Sequence, residues 1–358
     1  MKALQLRGIQ DVALVDLPQP SIKPDELLIR TGATTICTSD LNDIRENPFA
    51  IHFPVTMGHE GAGTVVAVGE ATTGFVVGDR VATHPVHPCG TCPACRRGWG
   101  HLCVAMEHFA INRPGTFAEF YPVRVDRARR IPDAVPFAAA ALAEPVSVCL
   151  EALSQARLPA NGTLLILGDG PFGVLMARLA RSLPLARTVI AGWEDFRLSF
   201  AVGRRARSHA SDTTVAVNTR NVSNAVGRLR AALDDLGDAG VLGYDAAILA
   251  VGSAQAVRDG IELIRPRGRF VVFSALPAET PVNLFRVHLE ELEIVGACSD
   301  EDRLDEAVAS LADPALGLAD LVTHTFPLEA YREALDLAAH GHDRALKVAF
   351  AFDFGAQS

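Results

Sequence analysis

Four of the seven cysteines lie close together in a spacing that is typical of a metal site. The pattern is C-x2-C-x2-C-x7-C, and its members are Cys89, Cys92, Cys95 and Cys103. The short gaps contain glycine and proline, which let four thiolates converge on one tetrahedral ion. Because four thiolates leave no open position, the pattern predicts a structural zinc site that shapes a loop. An iron–sulfur cluster is the other metal option, but nothing else in the sequence indicates electron transfer.

A thiolate, an imidazole and two carboxylates elsewhere in the chain form a second candidate metal set. Cys37 stands in I-C-T-S-D, His59 and Glu60 stand in M-G-H-E, and Glu144 stands in L-A-E-P-V-S. A catalytic zinc uses these ligand types and keeps its fourth position for water or substrate. Taken singly, each residue is equally typical of an ordinary packing or helix-start position. The hypothesis therefore depends on their occurring together.

Residues 168–173 form a glycine-rich turn, G-D-G-P-F-G, between a buried-strand pattern and an apolar helical pattern. In the dinucleotide-binding motif G-x-G-x-x-G, the first glycine allows the tight turn and the second lets a pyrophosphate approach the backbone. The third lets the helix pack closely on the strand, and the N-terminus of that helix favours the anion. The motif predicts a nucleotide site. A turn without a ligand stays open, as does a methyltransferase, which also places a nucleotide at such a turn.

The elements that would position these residues fall into three stretches of the chain. Residues 1–146 contain short β-like runs broken by glycine and proline. Residues 147–297 alternate hydrophobic strand patterns with helical patterns, which is typical of a parallel, doubly wound sheet. Residues 298–358 contain the patterns of two amphipathic helices and a closing strand. We therefore predict an α/β chain with two domains.

Composition places the chain among ordinary globular proteins. Hydrophobic residues make up 49% and charged residues 21% of the 358 residues, and the formal net charge is −9. This acidic balance gives no basic footprint for nucleic acid or for an anionic membrane. No apolar run approaches the roughly 18 residues of a membrane helix, and the first residues lack the apolar core of a signal peptide. We expect a soluble, cytoplasmic protein whose cysteines stay reduced.

Together these motifs resemble the zinc-dependent medium-chain alcohol dehydrogenases, almost from end to end. The resemblance is carried by C-T-S-D at 37–40, G-H-E-G-A-G-T-V-V-A-V-G at 58–69, G-D-R-V at 78–81, the four-cysteine lobe, G-T-F-A-E-F at 115–120 and the glycine turn at 168–173. Glu144 followed by Pro-Val-Ser-Val resembles the polyol branch, which includes sorbitol, xylitol and threonine dehydrogenases. The implied fold is a GroES-like β-rich catalytic domain, residues 1–146 and 298–358, interrupted by a Rossmann dinucleotide-binding domain, residues 147–297.

The resemblance implies roles for individual residues. The implied catalytic residues are Ser39, Cys37, His59, Glu60 and Glu144. The thiolate and the imidazole would ligate the catalytic zinc, and one of the two carboxylates, Glu60 or Glu144, would be the third protein ligand. Ser39 would take the proton of the substrate alcohol, and Asp40 would orient a ligand by a hydrogen bond.

Two positions depart from the family pattern. Where relatives often have a histidine that relays the proton onward, this chain has Asn42, which leaves the exit route of the proton open. Where NAD-specific relatives usually have an aspartate, it has Gly192, which leaves NAD and NADP open with a slight preference for NAD. Nearby charges are mixed, since Glu194 disfavours a 2′-phosphate while Arg197 and the pair Arg204–Arg205 would attract it. The expected nucleotide contacts are Gly168, Gly170, Pro171, Phe172, Gly173, Trp193, Glu194, Arg197, Val251 and Ser274.

The implied reaction is hydride transfer between NAD(P) and a secondary alcohol of polyol, sugar or amino-polyol type. It would require one catalytic and one structural zinc per chain. Two other classes of protein stay open: a redox-neutral, epimerase-like enzyme that retains its nucleotide, and a non-catalytic binding protein on the same scaffold. Relatives pair through the edge strand of the Rossmann sheet, so a homodimer or homotetramer is expected, with residues 268–284 as the candidate edge.

Overall fold

The computed structural model describes residues 1–203, 213–237, 242–276, 278–300 and 302–353. Contacts divide the chain into two compact units. The first unit comprises Met1–Ser147, Glu301–Asp313 and Ala319–Ser358, and the second comprises Val148–Asp300 and Pro314–Leu318. The first unit is therefore discontinuous in sequence, and the second is inserted into it. The sequence predicts domain divisions after residues 146 and 297. The contacts divide the chain after residues 147 and 300.

The first unit is built mainly of short strands. Their bounds are β1 Lys2–Gly8, β2 Asp11–Asp16, β3 Glu26–Thr35, β4 Val55–Thr56, β5 Glu60–Val68, β6 Arg80–Thr83, β7 Val86–His87, β8 Glu107–His108, β9 Phe120–Arg124, β10 Ala128–Arg130, β17 Val322–Phe326 and β18 Lys347–Ala351. The largest sheet has seven strands in the order β10-β6-β5-β3-β18-β17, with β9 also paired to β3. Strands β2, β1 and β4 form a separate sheet, and β7 pairs with β8.

Strand β3 is the central element of this unit, and nearly all of its residues are buried. Strands β5 and β18 both run antiparallel to it, and Thr35 lies opposite Glu60 on one side and Ala349 on the other. Apolar side chains such as Leu27 and Ile29 pack with side chains of the neighbouring strands into a buried cluster. The register therefore brings the starts of β5 and β18 beside the end of β3.

The second unit contains a six-stranded parallel sheet in the order β13-β12-β11-β14-β15-β16. Its strands are β11 Thr163–Leu167, β12 Arg187–Gly192, β13 Thr214–Asn218, β14 Tyr244–Leu249, β15 Ile264–Val272 and β16 Glu293–Gly296. Strand β15 pairs with β14 and with β16. The expectation that residues 268–284 supply the edge strand is therefore wrong, because β16 forms that edge in the described part of the chain.

The helices are α1 Thr38–Glu46, α2 Phe137–Ala140, α3 Ala143–Gln155, α4 Pro171–Leu179, α5 Asp195–Val202, α6 Ala225–Ala231, α7 Ala254–Leu263, α8 Leu284–Leu289, α9 Leu304–Ala312 and α10 Tyr331–His340. Helices α4 to α7 alternate with the strands of the parallel sheet, as the sequence predicts. The helical stretch Phe137–Gln155 is long and apolar enough to cross a membrane by length and composition, contrary to the expectation from sequence. Of its apolar 18-residue window, 72% is buried inside the protein, as a core helix would be.

Candidate functional site

Cys37 lies directly before helix α1 and is the N-cap residue of that helix, with an extended backbone. Its N–H donates a hydrogen bond of 2.8 Å to Oδ2 of Asp40, while its sulfur accepts one from the Asp40 N–H. This reciprocal pair of bonds closes the first turn of the helix. It holds the Cys37 side chain at the end of β3, where it is buried.

His59 is buried immediately before strand β5, and its two ring nitrogens face different partners. Nδ1 lies 3.3 Å from Oδ1 of Asp40, so the carboxylate that caps α1 also orients the imidazole. Nε2 lies 3.4 Å from Oγ of Ser39. With the proton on Nδ1, the lone pair of Nε2 is available to a metal ion. The preceding Gly58 has a φ of +87°, and a Cβ there would lie 2.1 Å from the Phe117 ring, so glycine is required.

Glu60, the first residue of β5, is fully buried and forms an ion pair with the equally buried Lys347 of β18. The lysine Nζ lies 2.7 Å from both carboxylate oxygens. The Thr35 hydroxyl also donates a hydrogen bond to Oε2 of Glu60. Burial acts to lower the pKa of Lys347, but the charges of Glu60 and Cys37 outweigh it and raise that pKa. The lysine is therefore a buried cation beside the thiol and the imidazole.

The ligand atoms of Cys37, His59 and Glu60 all lie within 4.8 Å of one another. Zinc binds sulfur, nitrogen and carboxylate oxygen at about 2.0–2.3 Å, so this donor set fits one ion in size and in chemistry. Burial acts to lower the pKa of His59, but Asp40 and Cys37 raise it well above the usual range. The cluster therefore attracts positive charge. Glu144 lies outside this group of ligand atoms, although its charge helps to raise the pKa of Lys347.

The four-cysteine lobe is also assembled. The sulfur of Cys92 lies 3.5 Å from that of Cys95 and 3.9 Å from that of Cys103, and Cys89 lies 3.9 Å from Cys95. These separations are close to the roughly 3.8 Å between sulfurs at the corners of a tetrahedron with Zn–S bonds of about 2.3 Å. Backbone N–H groups of Cys89, Cys92, Cys95 and Ala105 point at the sulfurs, which favours thiolates. The lobe fits a closed structural ion.

Replacing Cys103 with serine is expected to release the ion of this lobe, because a hydroxyl is a poor substitute for a zinc-bound thiolate. Zinc content measured by mass spectrometry should fall by one per chain, and limited proteolysis should cut within 89–103. Cys298→Ser is the control, since this exposed cysteine belongs to neither metal group. An unchanged zinc content in the Cys103 variant would contradict the assignment.

The glycine turn lies between β11 and α4 at the carboxyl ends of the parallel strands. Gly168 has a φ of +122°, and a Cβ at Gly173 would lie 1.9 Å from the Gly168 carbonyl oxygen, so the helix packs directly on the turn. A Cβ at Gly170 would meet nothing within 4 Å, which leaves the backbone open to an approaching ligand. Pro171 begins the helix, where its missing N–H costs nothing. The turn therefore fits a pyrophosphate.

The other predicted nucleotide contacts lie at the ends of neighbouring strands. Trp193 is 63% exposed after β12, and Glu194 forms an ion pair of 3.0 Å with Arg220. Val251 follows β14 beside the first glycine of the turn, and Ser274, after β15, donates its N–H to the Leu249 carbonyl. The Arg197 guanidinium lies 5.6 Å from the centre of the Phe196 ring, and the Phe172 ring contacts that of Phe273. The pair Arg204–Arg205 lies outside the described residues.

Comparison with known proteins decides the family. Residues 23–133 match the alcohol dehydrogenase GroES-like domain, and residues 201–313 match the zinc-binding dehydrogenase domain. The chain is 30% identical over 343 residues to a sorbitol dehydrogenase of Bombyx mori, which covers 95% of each protein. The chain belongs to the zinc-dependent medium-chain alcohol dehydrogenase family.

Further relatives extend this result. A D-altritol 5-dehydrogenase of Agrobacterium fabrum is 30% identical to this dehydrogenase over 334 residues, covering 92% of this chain and 93% of the relative. A zinc-binding dehydrogenase of Sinorhizobium meliloti 1021, solved with NADP, has a TM-score of 0.85 and 25% identity, with 98% and 99% of the two chains covered. The predicted family, the GroES-like and Rossmann architecture and the enzyme class are confirmed. This dehydrogenase interconverts an alcohol and a ketone with NAD(P), and the redox-neutral and non-catalytic alternatives are not favoured.

Two residues near Cys37, His59 and Glu60 were missed by the sequence analysis. Lys347 is one of only three lysines in the chain and stands in the apolar run A-L-K-V-A-F-A-F, a signal that a buried carboxylate must lie opposite. His108 has its ring centre 5.9 Å from that of His59, and its Nδ1 lies 2.6 Å from the Phe109 carbonyl oxygen. No local motif surrounds His108, so sequence reasoning had no means to find it.

Proposed function

We propose that this dehydrogenase oxidises a secondary alcohol of polyol, sugar or amino-polyol type at a zinc ion bound by Cys37, His59 and Glu60. The observation that carries the proposal is the gathering of these three ligand atoms, all buried, within 4.8 Å. Of the two candidate carboxylates we favour Glu60 as the third ligand, because Glu144 lies outside that group. A thiolate, an imidazole and a carboxylate leave one position on zinc for the substrate.

The zinc would supply Lewis acidity that eases loss of the alcohol proton, and the nicotinamide would accept the hydride. The chain's own residues would prepare for this step. Asp40 holds the imidazole of His59 through Nδ1, which would leave the Nε2 lone pair to the zinc. Ser39, whose Oγ lies 3.4 Å from that Nε2 and is only partly buried, is placed to receive the proton of the substrate hydroxyl while passing its own proton to water. Lys347 holds the Glu60 carboxylate in position through their ion pair.

The polyol preference is supported by the sorbitol and altritol relatives and by a second polar group beside the site. Nδ1–H of His108 donates to the Phe109 carbonyl, so its Nε2 is left as a hydrogen-bond acceptor. A polyol that binds zinc through one hydroxyl has a neighbouring hydroxyl to offer such an acceptor. Simple alcohols lack this second group, and we therefore expect them to be poorer substrates.

We further propose that each chain binds two zinc ions, one at each thiolate-containing cluster. We also propose that the protein forms a homodimer or homotetramer and is located in the cytoplasm. Reduced cytoplasmic thiols suit the five cysteine ligands in the two clusters, and all seven cysteines are free. The edge strand β16 and the exposed apolar residues Leu284, Phe285 and Leu289 on the neighbouring α8 support self-association. We expect NAD to be preferred over NADP.

The test is the absorbance of reduced nicotinamide with a panel of polyols, sugars, amino-cyclitols and simple secondary alcohols, each supplied with NAD and with NADP. Zinc content is measured on the same sample. A signal confined to polyol-type substrates, with two zinc ions per chain, supports the proposal. If a protein that holds both zinc ions gave no signal across the panel, the proposal would be refuted and a redox-neutral reaction would be favoured.

A further inference from the structure

Strand β12 ends at Gly192, and the carboxylate of Asp169 from the glycine turn occupies the space beside it. A Cβ built on Gly192 would lie 2.4 Å from Cγ and 2.5 Å from Oδ2 of Asp169. No side chain fits at residue 192 while Asp169 keeps this position. In dinucleotide-binding domains the acidic side chain about 20 residues after the glycine motif binds the 2′-hydroxyl of the adenosine ribose. Here a carboxylate is present at that place, but it comes from the turn.

Asp169 is held there by the backbone. The N–H groups of Trp193 and Glu194 both donate to its Oδ2, at 2.8 and 2.7 Å. Its Oδ1 accepts no hydrogen bond within the described residues and is not among the buried atoms that lack a partner, so it is accessible. The side chain therefore has one oxygen that fixes it and one that can accept a hydroxyl.

We propose that Asp169 selects NAD over NADP, an inference that rests on the nicotinamide-linked function proposed above. Oδ1 accepts a hydrogen bond from the 2′-hydroxyl of NAD. The 2′-phosphate of NADP brings a charge of about −1.5 to −2 to the same place, where the carboxylate repels it. The carboxylate cannot swing away without leaving the two N–H groups of residues 193 and 194 without this partner.

The nearby described cations do not compensate for this repulsion. Arg220 is paired with Glu194 at 3.0 Å, so its charge is already balanced. The guanidinium of Arg197 lies over the Phe196 ring and forms no ion pair with Asp169. Among the described residues, Asp169 has no cationic partner, so its carboxylate keeps a negative charge that admits a neutral ribose diol and disfavours a phosphate.

The experiment is Asp169→Asn, read out by calorimetric titration of the zinc-loaded protein with NADH and with NADPH in the absence of any alcohol. The carboxamide oxygen of asparagine can still accept the two backbone bonds, so the turn is kept while the charge is lost. We expect the wild type to bind NADH about tenfold more tightly than NADPH or better, and the substitution to reduce this ratio about tenfold. Asp195→Asn is the matched control, because it removes the same charge one residue beyond Glu194, where Asp195 instead bonds Asn218.

Equal affinities for NADH and NADPH in the wild type, or an unchanged ratio in Asp169→Asn, would overturn the inference. An equal change of the NADH to NADPH affinity ratio in Asp195→Asn would also overturn it, because selectivity would then depend on the total negative charge of the loop and not on Asp169. These outcomes leave the dehydrogenase function intact. A wild-type protein that binds neither dinucleotide would instead refute the proposed function itself.

Discussion

Replacing Lys347 with methionine is expected to lower the melting temperature of the dehydrogenase by about 10 °C. Breaking a buried ion pair on one side costs about 3–5 kcal/mol, because the remaining charge stays buried without its partner. For a unit of this size each kcal/mol corresponds to about 2–4 °C. Methionine fills a similar volume without the charge. The Glu60 carboxylate would then keep only the Thr35 hydroxyl among the partners described above. Differential scanning calorimetry measures the shift.

Two variants separate this effect from general damage. Lys2→Met makes the same change in an exposed ion pair with Glu329, where side chains are 47% and 52% accessible, and should have little effect. The proteins are compared without metal, because Glu60 is a proposed zinc ligand. Under this condition the double variant Glu60→Gln with Lys347→Met removes both buried charges and should recover most of the lost stability. If Lys347→Met had the same melting temperature as the wild type, the buried ion pair would contribute nothing to stability.

Replacing Cys37 with serine is expected to abolish alcohol oxidation, with kcat/KM reduced about 10³-fold or more. Lewis-acid stabilisation is worth several kcal/mol, and each 1.36 kcal/mol is a factor of ten in rate. Serine is a favoured N-cap residue, so helix α1 should keep its first turn and the protein should remain folded. Zinc content should fall from two ions per chain to one. The rate is measured with the best substrate of the panel, and zinc by mass spectrometry.

Cys149→Ser is the control for this result, because Cys149 is also buried but belongs to neither group of metal-ligand atoms. It should retain activity and both zinc ions. If Cys37→Ser kept its activity, or lost activity with both zinc ions still bound, the assignment of Cys37 as a ligand of the catalytic ion would be wrong.

The parts of the site that could be predicted from the sequence are those whose geometry depends on residues close together in the chain. The four lobe cysteines lie on one loop, so their spacing alone brings the sulfurs to within 3.5–3.9 Å in the pairs described above. Asp40 follows Cys37 by three residues, which is the distance of a helix cap, and the expected orienting contact with His59 is present at 3.3 Å. The glycine turn likewise carries its geometry in adjacent residues.

The parts that sequence reasoning could not reach depend on tertiary register. Lys347 meets Glu60 only because β18 and β5 flank the same strand, β3. At Gly192 the sequence shows a missing carboxylate, and only the folded turn shows that Asp169 occupies its place. The hairpin of β1 and β2 was also missed, because M-K-A-L-Q-L-R-G has few β-branched residues. Its strand conformation depends instead on antiparallel pairing with β2.

The ion pair between Glu60 and Lys347 joins residues 287 positions apart, and this separation sets an order of events during translation. A ribosome delivers strands β3 and β5 long before it adds Lys347, the cation that pairs with Glu60. The inserted second unit, including the short segment Pro314–Leu318, is complete in sequence before residue 347 and can fold first as chains are synthesised. Until residue 347 is made, the Glu60 carboxylate lacks this cationic partner. A chain whose synthesis stops before residue 347 would leave Glu60 without this cation, and we expect its first unit to be less stable for that reason.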